Sequence, residues 1–589
     1  MEITRVFDLL PYYKETFAPK EDALVGKEDG KWVKYSIDEY IEASNSVSYG
    51  LMALGIAKGD RIASISNNRP EWNFIDMGAL QIGAIHVPIY PNISESDYKY
   101  ILTHSEAKYV IVSGKDLLRK IEHILPEIPT LKGIYTLTPV QGYPHLKELI
   151  QAGKRSAAPE KLKAIKESIL PDDPATLIYT SGTTGNPKGV VLCHRNMVSN
   201  FRGVKHIFPV DQTCRCLSFL PLCHVYERNN IYTYHILGVS IYYAENMATI
   251  ADNLRELKPE IFCTVPRLLE KVYDRIIAKG LKLKGFKRAV FFWAVHLGLH
   301  YELDRRNGWW YELKLKLANK LVFSKWREGL GGKVRVIVSG GAALQPRLAR
   351  IFTAAGIPIL EGYGLTETSP VIAVNNLEPN GRKFGTVGPP LKEVQVRIAE
   401  DGEILCKGPN VMIGYFHDPA LTGEVIDQDG WFHTGDIGIL DEGRFLKITG
   451  RKKEVFKTSM GKYISPQPIE NKFKESPFIE SIMVIGENQK FAAALIGPDF
   501  EHLRSWCKVK GIEYTTHKEM IHLPRIKRRF QKEVDKYNHI FGATEQIKKF
   551  ELLDAEWTIE TGEITANLKV KRNYICEKYK DKINAIFNT

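Results

Sequence analysis

The sequence contains no G-x-x-x-x-G-K-[ST] stretch, which excludes a Walker-type phosphate loop. Its eight cysteines never fall into C-x-x-C spacing. Cys214 and Cys216 are close, and Cys193-His194 and Cys223-His224 are adjacent pairs, yet none spells a structural zinc site. Free buried thiols in a reducing compartment are therefore expected. Apolar runs stay short of the roughly 20 residues that span a bilayer. The start, Met1-Glu2-Ile3-Thr4-Arg5, has no basic region followed by an apolar core, so a signal peptide is not expected. Aromatic-glycine RNA motifs and zinc-finger spacings are missing too, and nucleic acid is not expected as a partner.

What is there reads as an ordinary globular chain of unusual length. Of 589 residues, 44% are hydrophobic and 25% charged. That is too long for one core, so two or more domains are expected. The formal charge of +12, from 81 basic and 69 acidic residues, suits anionic substrates or an anionic membrane surface. Ser36 followed by Glu39 forms a capping-box pattern ahead of a helix running through Gly50-Leu51. Arg61–Ser66, Gly83–Tyr90 and Tyr109–Ser113 read as strands. Strands alternating with helices predict layered α/β sheets. Residues 141–174 are polar and loosely patterned and read as a connector, and 194–204 reads as a helix.

The connector leads to Thr180-Ser181-Gly182-Thr183-Thr184-Gly185-Asn186-Pro187-Lys188-Gly189. The apolar runs Ala175–Tyr179 and Val190–Leu192 flank it, so the pattern is strand, tight polar loop, strand. Three glycines allow a sharp turn and close backbone approach to a ligand, while four hydroxyls and Lys188 supply donors. Successive backbone N–H groups in such a turn make a concave anion site, for which a polyphosphate is the natural ligand.

This loop resembles the signature loop of the adenylate-forming ligase superfamily, whose members activate a carboxylate with ATP and release pyrophosphate. Further blocks follow in the family's order. Leu220-Pro221-Leu222-Cys223-His224-Val225-Tyr226-Glu227-Arg228 resembles the second core motif in the style of AMP-forming long-chain fatty acyl-CoA synthetases, where the histidine lies near the carboxylate being activated. Thr264-Val265-Pro266-Arg267 matches a short family block. Ser339-Gly340-Gly341-Ala342 corresponds to the turn bordering the adenine. In Glu361-Gly362-Tyr363-Gly364-Leu365-Thr366-Glu367-Thr368, the resemblance lays Tyr363 against the base, gives Thr366 to the α-phosphate and makes Glu367 a Mg²⁺ ligand. It adds Thr184 as a second metal-proximal group, Asp436 on the ribose hydroxyls and Arg451 on ribose or phosphate. It sets Lys453 at the hinge and Lys457 and Gly461 beside coenzyme A. Gly562–Arg572 resembles the terminal block with the catalytic lysine, which spacing assigns to Lys569, with Lys571 the alternative.

The resemblance thus implies ATP, Mg²⁺ and coenzyme A, a long-chain fatty acid as substrate, and Lys569, Glu367, Thr184 and His224 as catalytic groups. It implies a large N-terminal domain over 1–450, made of layered α/β sheets plus a small barrel-like β part, and a small mobile C-terminal α/β domain over 451–589. A fatty acyl-AMP ligase or carrier-protein loader is one alternative, and a lipid-binding peripheral membrane protein without catalysis is another. Residues 283–330 place Phe291, Phe292, Trp293, Trp309, Trp310 and Trp326 among many lysines and arginines. They read either as an interfacial membrane-docking surface or as a helical pair packed on the domain. The expected location is cytoplasmic, with peripheral attachment to the inner face of the membrane if that surface docks. A homodimer is the oligomer considered.

Overall fold

In the computed structural model, residues 2–180, 186–558, 560–565 and 570–588 are described. The chain divides into two units. The first comprises Met1–Arg397, Leu405–His433 and Asp441–Leu446; the second comprises Ile398–Ile404, Thr434–Leu440 and Lys447–Thr589.

Two large sheets build the first unit. A seven-stranded sheet runs in the order Gly414–Tyr415, Lys188–Cys193, Pro174–Thr180, Ile85–Ile89, Arg61–Ile65, Tyr109–Val112, Gly133–Thr136. Its last four strands are parallel, and 174–193 is an antiparallel hairpin joined to them at His86 and Thr176. An eight-stranded sheet carries Val371–Val374, Ile359–Gly364, Val336–Ser339, Ile261–Thr264, Arg215–Ser218, Ser240–Tyr243, Leu24–Glu28 and Lys31–Tyr35. The smaller β part is a four-stranded sheet ordered Gln395–Ile398, Glu403–Lys407, Phe432–Asp441, Phe445–Arg451. In the second unit, Ile479–Ile485, Ala492–Pro498 and Ile547–Leu552 form a three-stranded sheet with helices Pro466–Phe473, Phe500–Lys510 and Pro524–Asn538. Each unit has its own buried core, one around Trp72, Phe201 and Tyr232 and the other around Phe473, Phe500 and Phe530.

Local chemistry explains where the elements fall. The capping box closes as expected: the Glu39 N–H donates to Ser36 Oγ at 3.2 Å, the Ser36 N–H donates to the Glu39 carboxylate at 2.7 Å, and helix Ile37–Ala53 follows. The stretch 141–174 is not a loose connector. It holds helices Leu146–Arg155 and Pro159–Ser168. The first lies so close to Ile37–Ala53 that a Cβ on Gly153 would sit 1.9 Å from the Ser46 carbonyl oxygen. Its inward face is Leu146, Leu149 and Gly153, a stripe whose last member carries no hydrophobic signal.

A fully buried polar node ties the two sheets' helices together. Arg228, on helix Val225–Leu237, pairs with Asp76, on helix Pro70–Leu80, at 2.5 Å. Asp76 also accepts from the Tyr232 hydroxyl at 2.5 Å and meets His86 Nδ1 at 2.8 Å. Arg228 donates to Thr176 Oγ1 at 2.6 Å, on the strand that enters the polar loop. Burial alone would raise the Asp76 carboxyl, but Arg228 and His86 outweigh it and hold it below the usual carboxylate range.

The apolar run Ala289–Tyr301 forms most of helix Gly285–Leu299, and that helix turns inward. Phe291, Ala294, Val295, Leu297 and Gly298 are buried. Phe291 packs on Gly280, and Gly298 meets Ile351 and Phe323. Trp326 is buried as well, edge-on to Tyr273, Phe323 and Phe352. All eight cysteines are free, seven of them buried and Cys576 exposed. Among the described residues, no helix is long and apolar enough to cross a membrane.

Candidate active site

The hairpin supplies the first wall. Tyr179 pairs with Gly189 and Thr180 with Lys188, so both ends of the polar loop are clamped by strand pairing. Ser181, Gly182, Thr183, Thr184 and Gly185 lie outside the described residues, as does Lys569. On the hairpin's outer edge, Gly414–Tyr415 adds a short antiparallel strand with Tyr415 opposite Val190. Residues two apart on a strand share a face, so Lys188 is the diagonal neighbour of Tyr415. The Lys188 ammonium accordingly sits 5.3 Å from the Tyr415 ring centroid, a cation–π contact. The Tyr415 hydroxyl donates to Glu367 Oε1 at 3.0 Å. Burial, with the Glu367 carboxylate beside it, pushes that hydroxyl's pKa far above its ordinary value, so it stays a donor. Tyr415 was not singled out from the sequence. Its role arises from strand pairing between residues more than 200 apart, and a Gly-Tyr dipeptide carries no local signal for that.

Glu367 is held from behind. It lies in the turn Thr366–Thr368, and its carbonyl accepts from the Met412 N–H at 2.8 Å. Asn410 and Asn200 both donate to the Thr368 carbonyl, at 3.1 and 3.4 Å. The preceding strand, Ile359–Gly364, runs parallel to Val336–Ser339 with Glu361 opposite Ser339. Glu361-Gly362-Tyr363 and Gly340-Gly341-Ala342 are thus brought together at the carboxyl ends of parallel strands, where α/β sheets bind ligands. Gly341 has φ +81°, a conformation side chains rarely adopt. Gly364 is fixed by packing, since a Cβ there would lie 1.7 Å from the Pro370 carbonyl oxygen, whereas one on Gly362 would meet nothing closer than 3.5 Å. Thr366 and Glu361 are buried. Burial pushes the Glu361 carboxyl up to about 8, partly offset by the Leu344 N–H. A neutral carboxyl offers both a donor and an acceptor.

His224 caps the helix Val225–Leu237: its Nδ1 accepts from the Tyr226 N–H at 3.1 Å. That bond assigns the ring proton to Nε2. The ring is half-buried and stands edge-on to Tyr90 at 6.4 Å between centroids.

The sequence profile of AMP-binding enzymes matches residues 15–416, and that of the AMP-binding enzyme C-terminal domain matches residues 453–589. The chain belongs to the AMP-binding enzymes. Among curated relatives of this AMP-binding enzyme is the long-chain-fatty-acid–CoA ligase FadD15 of Mycobacterium bovis, 35% identical over 569 residues that cover 95% of this chain and 93% of the relative. Another is long-chain-fatty-acid–CoA ligase 1 of Homo sapiens, 31% identical over 95% of this chain and 83% of the relative. Solved structures share the fold. The anthranilate CoA ligase AuaEII in complex with anthranoyl-AMP superimposes with TM-score 0.73 at 20% identity, over 98% of this chain and 97% of that one. A Mycobacterium tuberculosis fatty acyl CoA synthetase does so with TM-score 0.61 at 21% identity, over 98% and 99%.

The second unit of this AMP-binding enzyme carries the remaining expected residues. Arg451 Nε pairs with Asp436 Oδ1 at 2.9 Å, and Asp436 is buried. Lys453 is exposed. Lys457, also exposed, reaches over the Tyr463 ring at 5.5 Å, in a hairpin whose turn is made by Gly461 at φ +79°. Met460 carries no positive φ, so the turn's geometry rests on the neighbouring glycine. Around Lys569 the frame is described even though the lysine is not. Ile564 pairs with Val570, and the Lys571 N–H donates to the Glu563 carbonyl at 2.8 Å. Buried Glu563 is anchored by Lys578 at 2.6 Å. Lys571 itself is exposed at the start of helix Arg572–Lys578.

The donor set fits Mg²⁺. Among the described residues no group of three or more His, Cys, Asp or Glu side chains forms an all-protein metal cage. The Glu367 carboxylate alone is enough for Mg²⁺, because that ion keeps most of its waters and binds through one or two carboxylates and substrate phosphates.

Proposed function

We propose that this enzyme activates a long-chain fatty acid to acyl-AMP with release of pyrophosphate and then transfers the acyl group to coenzyme A, giving acyl-CoA and AMP. The full-length likeness to long-chain-fatty-acid–CoA ligases supports the substrate class. The observation that carries the site assignment is the sequence of contacts from Lys188 through Tyr415 to Glu367 at the mouth of the hairpin.

In the first step a carboxylate oxygen attacks the α-phosphorus of ATP, and the bond to the pyrophosphate oxygen breaks. A fatty carboxyl is already ionised at neutral pH, so no general base is required. The barrier is anion meeting anion, and catalysis is positioning and electrostatics. Lys188 and the loop amides hold the departing pyrophosphate. Thr366 faces the α-phosphate, Tyr363 and Gly341-Ala342 border the base, and Asp436 with Arg451 holds the ribose. Glu367, with Thr184, would hold Mg²⁺, which neutralises phosphate charge when bound. His224, its Nδ1 occupied by the helix end, presents Nε2–H toward the carboxylate. Lys569 bridges carboxylate and α-phosphate as a compact, movable charge.

In the second step the coenzyme A sulfur attacks the acyl carbonyl and AMP leaves. Lys569 has no part in that step. The small domain carrying it, with Lys453 as hinge, rotates between the steps, bringing Lys457 and Gly461 to coenzyme A. Free cysteines throughout support a reducing, cytoplasmic setting. A substrate that partitions into membranes supports peripheral attachment there.

The test separates the half-reactions. Lys569→Ala is expected to abolish acid-dependent ATP–pyrophosphate exchange yet leave thioester formation from supplied acyl-AMP intact. The same pattern in Lys571→Ala would move the assignment by two residues. Product formed with a phosphopantetheinyl protein but not with coenzyme A would point instead to a carrier-protein loader.

A further inference from the structure

The helix that follows the inward-turned segment exposes an apolar face. Trp309–Ala318 continues through Asn319–Phe323 into Ser324–Gly329. One side is core: Leu315, Ala318, Val322 and Phe323 are buried. On the other side Trp309 and Trp310 are 63% and 64% exposed, and Leu313, Leu317 and Leu321 are about half exposed. At about 100° per residue these five fall within an arc of roughly 120°. The two indoles stack on each other at 3.9 Å between centroids, so their order comes from mutual contact while both stay open to solvent. Exposed Lys314 and Lys316 flank the arc, and exposed Lys320 lies within it.

Five large apolar side chains on one helix face form a contiguous patch of the kind that marks an interaction site. The flanking charge selects it. Lysines bordering an indole-and-leucine stripe are the composition of a helix lying in a bilayer interface, with alkyl stems along the apolar layer and ammonium groups at phosphate level. Between Lys282 and Glu328 there are eleven lysines and arginines against four acids, which repels a second copy of the same face and attracts an anionic surface.

We propose that the face Trp309–Trp310–Leu313–Leu317–Leu321 is an in-plane docking surface for an anionic phospholipid bilayer, from which the enzyme draws its acid. This deepens the reading of the substrate as a long-chain fatty acid and rests on it. It also relocates the docking element. The aromatic run Phe291–Trp293 belongs to a helix packed into the domain, and the lipid-facing residues are on the next one.

The test uses the full-length enzyme in sedimentation with phosphatidylglycerol–phosphatidylcholine vesicles and with phosphatidylcholine vesicles. Two triple variants probe the face: Lys314→Gln with Lys316→Gln and Lys320→Gln, and Trp309→Ser with Trp310→Ser and Leu317→Ser. All six positions are exposed, and because Leu317 is half covered and the two indoles stack on each other, the Tm of each variant is measured beside wild type to separate lost binding from lost fold. Each basic residue near an anionic surface strengthens binding about fivefold, so the lysine variant should bind anionic vesicles about a hundredfold more weakly. The apolar variant should lose binding to both vesicle types. Both should keep pyrophosphate exchange with an acid short enough to stay dissolved and lose turnover of acid supplied in vesicles. Unchanged vesicle binding in both variants overturns the proposal. So does a lipid-free dimer, seen by analytical ultracentrifugation, that the apolar variant dissociates. Vesicle binding that follows this pattern without acid-dependent exchange for any acid would sustain the surface and defeat the assigned activity.

Discussion

Tyr415 donates its hydroxyl to Glu367 while its ring faces Lys188, so its removal should loosen the carboxylate without disturbing the fold. A hydrogen bond to a charged group contributes about 1.5–3 kcal/mol, roughly a tenfold effect or more. Tyr415→Phe is expected to raise the Mg²⁺ concentration giving half-maximal pyrophosphate exchange by about that factor, with Tm nearly unchanged. An unaltered Mg²⁺ dependence would remove Tyr415 from the site. Glu361 yields a pH prediction. Its folded pKa of about 8 lies above the ordinary value near ~4.3, so the folded state keeps a proton that the unfolded chain has lost. Its contribution to stability is full below the unfolded pKa and is lost as pH rises through about 8. Glu361→Gln cannot lose that proton. Its Tm relative to wild type should therefore climb from pH ~5 to pH ~8, and a constant difference would contradict the buried neutral carboxyl.

At the scale of elements, the node of Arg228, Asp76, His86 and Thr176 joins two helices to the strand feeding the polar loop. Breaking one partner leaves a buried charge alone, at a cost of about 3–5 kcal/mol, whereas replacing both by apolar side chains of similar volume is often neutral. Arg228→Ala should thus lower denaturant-determined stability by that amount, and Arg228→Met with Asp76→Leu should recover most of it. Failure of the single variant to destabilise would mean water reaches the node. The elements differ in how far they could be read from the sequence. Helix Ile37–Ala53 was legible because its capping box is local, and hairpin 174–193 because glycine and proline interrupt two apolar runs. Helix Leu146–Arg155 was missed although Leu146, Leu149 and Ile150 stand at i, i+3 and i+4 and the Glu148 carboxylate accepts from the His145 N–H at 2.8 Å, because the polar residues between them hide the apolar stripe. In 283–330 composition announced aromatics but not their faces, and the most aromatic helix turned inward.

For the whole molecule, two units with separate cores suit the proposed chemistry in two steps, in which Lys569 is assigned to the first step only. The α/β class and the C-terminal unit were legible, and so were the motif blocks, because each is a short local run of glycine, hydroxyl and charged residues. Tyr415 was not, since only the register of Gly414–Tyr415 against Val190–Val191 delivers it. The register depends on the assembled sheet and on nothing nearby in the chain. The central claim is that fixed cations and amide dipoles join a fatty carboxylate to the α-phosphate of ATP. Pyrophosphate exchange into ATP, measured with the full-length enzyme across fatty acids of graded length, tests it most directly. The account predicts exchange that requires both Mg²⁺ and the acid and is strongest for long chains; exchange that ignores the acid, or is absent at every chain length, would contradict it.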